Sequence, residues 1–158
     1  MFKYSPDFTI KKILVAVDGS ESSLGAAQKA IHIAEIYGAT LIVLHFISSN
    51  IRYQYDGDDV NPQYTGEFKE IVGIAMDQGQ NYVDKVKEMS TGKVAKVQTE
   101  VIVAVKSIVK EIVEYAEKQN IDLIVMGTRG LSGIKKVLLG STASGVVTHS
   151  RCPVLIVK

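Results

Sequence analysis

Five short runs of aliphatic, mostly β-branched residues recur along the chain, and each gap between them contains apolar residues at the helical period. That alternation narrows the possible folds more than any other feature. The runs are residues 13–17 (ILVAV), 41–46 (LIVLHF), 97–105 (VQTEVIVAV), 123–126 (LIVM) and 154–157 (VLIV). The first is almost wholly apolar, as a parallel strand covered on both faces must be. Between the runs, Ala26, Ala27, Ala30, Ile31, Ala34 and Tyr37 form one helical stripe that stops before Gly38. Phe68, Ile71, Val72, Ala75, Tyr82, Val83, Val86 and Met89 form a second, ending near Gly92. Ile108, Val109, Ile112, Val113 and Ala116 form a third, with Ser107 placed to cap it and Glu111 in its first turn. A last short helix is predicted from Ser141 to about His149.

Strands alternating with helices predict an α/β three-layer sandwich: a five-stranded parallel sheet joined by right-handed crossovers, with helices on both faces. The simplest winding gives the strand order 3-2-1-4-5, which puts the topological switch between the first and fourth strands. Ligands in such sheets bind beyond the carboxyl ends of the strands at that switch. The loops after Val17 and Met126 are therefore the places to look for function. The connection over residues 48–65, rich in Tyr and Asp, is long enough to suggest a role of its own.

At 158 residues, residues 1–158 are expected to form one domain. A net charge of +1 argues against nucleic acid, which needs a concentrated basic face. The longest nearly apolar stretch, residues 39–47, is far too short to span a bilayer. The first twelve residues lack a continuous apolar core and do not read as a secretory leader. One cysteine, Cys152, cannot form an internal disulfide, and a cytoplasmic location is expected.

The loop after the fourth run reads GTRGLSGIKKVLLGST over residues 127–142. Glycines after a strand let a phosphate approach the backbone, and a helix N-terminus offers unpaired N–H groups and a partial positive charge. The hydroxyls of Ser141 and Thr142 add donors. On spacing alone, the competing reading is that Gly130 and Gly133 make turns and Ser141 caps a helix; the position at the switch favours nucleotide phosphate.

The spacing Gly-x2-Gly-x9-Gly-Ser, carried by Gly127, Gly130, Gly140 and Ser141, resembles the signature of ATP-binding universal stress proteins. The resemblance runs from KKILVAVDGSESS through LIVLHF and NIDLIVMGTRG to GSTASGVVTHSRCPVLIVK. It implies a Rossmann-like fold of the adenine nucleotide alpha hydrolase type. It also implies an ATP site in which Gly127 and Gly130 approach ribose and phosphates, and Gly140, Ser141 and Thr142 cradle phosphate. Asp18 then lies at the nucleoside end and the backbone of Phe46 meets adenine, with Ala16, Thr128 and Arg129 at neighbouring positions. Mg2+ or Mn2+ would ride on the phosphates, and two copies would pair as a homodimer through the C-terminal strand. After the third run the sequence departs from the family: Val103-Ala104-Val105-Lys106 stands where a glycine and a proline are common, and Lys106 is placed to reach phosphate.

Asp18 carries two compatible readings, a turn and cap with Gly19 and Ser20, or a ligand of the nucleoside or its metal. His32, His45, His149 and Cys152 lack metal-binding spacing, and Cys152 reads as a small residue opening the last strand. Lys135 and Lys136 read as a solvated turn or as phosphate neighbours. No Walker P-loop and no nucleophile elbow occurs. The expected function is thus a nucleotide-dependent regulatory or stress-response protein. The alternatives are a slow ATP-hydrolysing or phosphotransfer enzyme, and a dimerisation module binding AMP, cAMP or nothing.

Overall fold

A computed structural model describes residues 9–48, 64–129 and 139–158. The elements follow in the order β1 (Lys12–Ala16), α1 (Glu21–Tyr37), β2 (Thr40–Ile47), α2 (Tyr64–Met89), β3 (Val97–Val103), α3 (Ile108–Gln119), β4 (Leu123–Gly127), α4 (Ser141–His149) and β5 (Val154–Val157). The five strands form one parallel sheet in the order β3-β2-β1-β4-β5, as the alternation predicts.

Alternate residues of each strand feed two cores. Ile13, Val15, Leu41, Val43 and Val125 pack under α1 and α2, while Leu14, Ile42, Leu44, Ile124 and Met126 pack under α3 and α4. Burial on both faces explains why β1 and β4 are nearly continuous apolar runs. The start of β1 is fixed by Asp122, whose Oδ2 accepts the amides of Lys11 and Lys12 at 2.8 Å each.

Local chemistry sets the helix ends. The Ser20 side chain accepts from the Ser23 amide and the Ser107 side chain from the Lys110 amide, each satisfying a donor that the helix leaves open. α1 stops at Gly38, whose φ of 63° is left-handed. The third strand is shorter than the 97–105 run. Glu111 Oε1 accepts the amides of both Val105 and Lys106 at 3.0 Å and draws the chain off the sheet toward α3, leaving Val105 exposed.

Candidate functional site

β1, β2 and β4 end together at one edge of the sheet, and a crevice opens there on the α3 and α4 side. Its floor and one wall are apolar: Ala16, Phe46 and Met126 from the strands, Ile108 and Ile112 from α3, Ala143 from α4. Its rim is polar, made of Asp18, Thr128, Arg129, Gly140, Ser141 and Thr142. Nine of the ten site residues read from the sequence therefore line one crevice. The tenth, Gly130, lies outside the described residues, as do Gly133, Lys135, Lys136 and most of the 48–65 connection.

The β1–α1 turn forms one side. Asp18 Oδ1 accepts the Ser20 amide at 3.0 Å and the Asp18 amide lies 3.3 Å from Ser23 Oγ. Asp18 thus shapes the turn and also lines the crevice, so its two readings coexist. Opposite, the Gly140 amide donates to the Thr128 carbonyl at 2.7 Å, and the Thr128 amide donates to the Val157 carbonyl at 3.1 Å. These bonds place the start of α4 over the end of β4.

Two of the glycines are also required by packing. Gly140, not Ser141, is the N-cap of α4. Its φ of −64° is open to any residue, and no side chain among the described residues caps the helix. The first-turn amides of α4, which have no partner within the helix, therefore stand at the crevice rim with the positive end of the helix dipole. A side chain on Gly140 would lie 3.2 Å from the Thr128 carbonyl oxygen, so the constraint there is the close pass of two backbones. Gly127 lines the crevice with its backbone while the position of its missing Cβ faces α1: a Cβ there would sit 2.4 Å from Ser22 Oγ and 2.7 Å from the Ser22 carbonyl group. It brings backbone to the site while letting the first turn of α1 pack close.

The hydrogen bonds of β2 alternate. The Thr40 amide donates to Lys11 and the Leu44 carbonyl accepts from Val17, so even-numbered residues face β1. The Leu41 amide donates to Lys96 and the Ile47 carbonyl accepts from Ala104, so odd-numbered residues face β3. The amide and carbonyl of Phe46 thus point toward β1. The last register pair on that side is Ala16 with Leu44, and Phe46 has no ladder partner there. One main-chain donor and one acceptor consequently face the crevice.

Lys106, placed by the sequence reading to reach phosphate, does not line the crevice. Its Nζ lies 2.6 Å from Glu114 Oε2, and that hydrogen bond raises its pKa above the usual lysine range. Ala104 is buried beside β2 and outside the crevice lining. Sequence reasoning missed Val17, Ser23, Ile108, Ile112, Met126 and Ala143. Ile108 and Ile112 carried a usable signal, since they are one helical turn apart at the start of the helix that follows β3. Among the described residues no cluster of three His, Cys, Asp or Glu could hold a metal ion by itself.

A doubly wound α/β sheet with its crevice at the topological switch and a helix N-terminus at the rim defines a class of ligand-binding domain. The chain belongs to the universal stress protein family, whose model matches residues 9–158. It is 38% identical over 152 residues to universal stress protein MJ0531 of Methanocaldococcus jannaschii, covering 94% of this chain and 82% of that one. Hypothetical protein MJ0577 superposes with a TM-score of 0.80 at 27% identity, covering 95% of this chain and 96% of that one. A universal stress protein solved in complex with cAMP superposes with a TM-score of 0.63 at 26% identity, covering 94% of this chain and 97% of that one. No helix among the described residues is long and apolar enough to cross a membrane.

Proposed function

We propose that this protein is an ATP-binding regulator of the stress-response type, and that the nucleotide occupies the crevice at the ends of β1, β2 and β4. The observation that carries the reading is the pairing of two unlike features in one crevice: the backbone amide and carbonyl of Phe46 at an apolar floor and the N-terminus of α4 at the rim, neither with a partner or cap among the described residues. The first offers a donor and an acceptor to the edge of adenine, which carries an acceptor at N1 beside an amino donor. The second suits phosphate. Gly130, Ser141, Thr142 and Arg129 complete the phosphate end, Asp18 and Thr128 flank the ribose, and Ala16 and Gly127 wall the middle. Mg2+ or Mn2+ would be carried by the phosphates, with Asp18 as the carboxylate that the crevice lining offers.

Among the described residues the rim offers Asp18 and Arg129 but no further acidic or basic side chain to orient a water or hydroxyl against phosphorus, and this supports slow hydrolysis at most. The neighbour holding cAMP supports a second reading, in which the occupant is a nucleoside monophosphate or cyclic nucleotide. We further infer a cytoplasmic single-domain protein, with its one cysteine free, that pairs as a homodimer through the outer edge of β5. There Leu155 is 38% exposed on a wholly apolar strand.

Thermal melting with ATP and Mg2+ tests the reading. Ligand at about 100 times its Kd adds roughly 2.7 kcal/mol to the folded state. At about 2–4 °C per kcal/mol for a chain of this length, Tm rises by roughly 5–11 °C. No shift at millimolar ATP, AMP or cAMP would remove the nucleotide reading, and a shift with cAMP alone would select the second one.

A further inference from the structure

The parallel ladder between β1 and β2 stops one step before its amide donors run out. Were it to continue, the Phe46 amide would donate to the Val17 carbonyl, following the pattern of Thr40 with Lys11. Instead His45 Nδ1 lies 2.8 Å from that carbonyl. A carbonyl oxygen only accepts, so Nδ1 carries the proton and the imidazole is the donor.

The imidazole is held in place from three directions. Tyr82 of α2 meets it edge-on, with ring centroids 5.3 Å apart and planes 72° apart. Gly79, one helical turn earlier, leaves room for it: a Cβ there would sit 2.5 Å from His45 Cδ2. Tyr82 in turn lies over Gly19, where a Cβ would meet its ring at 2.4 Å and where φ is +83°. The half-buried histidine is thereby fixed between α2 and the β1–α1 turn, on the opposite face of the sheet from the crevice.

We propose that His45 is a positioning residue for the nucleotide: by drawing the Val17 carbonyl toward its imidazole it holds that acceptor away from the Phe46 amide, which stays open to the ring of the bound base. This rests on the nucleotide reading above. It assigns a task to a histidine whose spacing excludes a metal role, and it explains why the end of β2 presents an unpaired amide although β1 runs alongside it. Contact with α2 makes the openness of that amide depend on where α2 sits.

The test compares the unmodified full chain with His45→Leu and His45→Asn. Leucine fills the space without a donor, whereas the asparagine amide donates from nearly the position of Nδ1. Two quantities are read: hydrogen–deuterium exchange of the Phe46 amide without nucleotide, and affinities for ATP and GTP. The Phe46 amide exchanges readily in the unmodified chain and in His45→Asn, and becomes protected in His45→Leu as it pairs with Val17. ATP binds about tenfold more weakly to His45→Leu and nearly normally to His45→Asn, the loss expected for one hydrogen bond. GTP, whose N1–H cannot accept from that amide, loses less. A purely structural histidine would lower ATP and GTP affinity alike and leave the Phe46 amide unchanged, and either result overturns the proposal. If His45→Leu does not fold, His45→Phe keeps a ring against Gly79 and Tyr82 and removes only the donor. If the unmodified chain binds no nucleotide, the nucleotide reading falls, and the exchange rates alone still decide whether His45 keeps the Phe46 amide open.

Discussion

Gly127→Ala tests how the close seat of α1 on β4 holds the site together. The new methyl would lie 2.4 Å from Ser22 Oγ and 2.7 Å from the carbonyl carbon and oxygen of Ser22. The hydroxyl can rotate away but the carbonyl group cannot. The first turn of α1 must retreat by about 0.7 Å to restore an ordinary 3.4 Å contact. Overpacking of this kind costs about 1–3 kcal/mol. Replacing glycine recovers roughly 0.4–1 kcal/mol through the unfolded chain, because the φ of Gly127 is not among the positive ones. The net loss is up to about 2.6 kcal/mol and centres near 1 kcal/mol, read as a lower midpoint in urea unfolding followed by far-ultraviolet circular dichroism. Gly25→Ala, within α1 and with nothing within 4 Å of the added atom, is the control of opposite sign. It should stabilise by about 1 kcal/mol, the helix propensity difference. If Gly127→Ala unfolds at the same urea concentration as the unmodified chain, or higher, the account of that contact is wrong.

Gly140→Val adds a branched side chain 3.2 Å from the Thr128 carbonyl oxygen, so ATP affinity should fall well over tenfold with the fold retained; calorimetric titration at unchanged circular dichroism checks this. Leu155→Lys at the outer edge of β5 should convert the proposed dimer to monomer, because the contact would bury an unpaired charge; a dimeric variant in sedimentation would refute that placement. Burial, then the hydrogen bond to Glu100, pushes the Tyr115 pKa up to about 12 from 10.0. The folded state therefore favours the protonated phenol. Stability from this residue is complete below pH 10 and declines as pH rises from about 10 to 12, where the unfolded chain ionises first. Urea midpoints across that range should decline less steeply in Tyr115→Phe.

Strand order, both side-chain helix caps and nearly all of the crevice rim were legible in the residues, because each rests on local chemistry. Ser107 and Gly38 act where they stand, and parallel strands buried on both faces must be apolar. What escaped depends on contacts distant in sequence. Glu111 ends β3 early by taking two amides six and five residues before it. Lys106 is drawn to Glu114 on the next helix, and no spacing rule ranks that carboxylate above a ligand phosphate. Gly127 stands at the crevice, yet the atoms that require a glycine there belong to Ser22, over a hundred residues away. Ile108 and Ile112 look like ordinary core residues until the crevice beneath them is seen.

Asp122 clamps the start of β1 across 110 residues, and the neighbouring ladder runs from Ile13–Leu123 to Val15–Val125. That separation has a consequence for how the chain is made. At about 5–20 residues per second, β4 leaves the ribosome roughly 5–20 s after β1. Until then the β4-facing side of β1 is an open edge of apolar residues, the kind of template that pairs with the wrong chain. Lys11 and Lys12 at its entrance put charge where a stray strand would begin to zip. Closing so long a loop is slow, and little in the local helices hastens it. The crevice is then a late product of folding: it exists only in molecules whose β1 and β4 have already met.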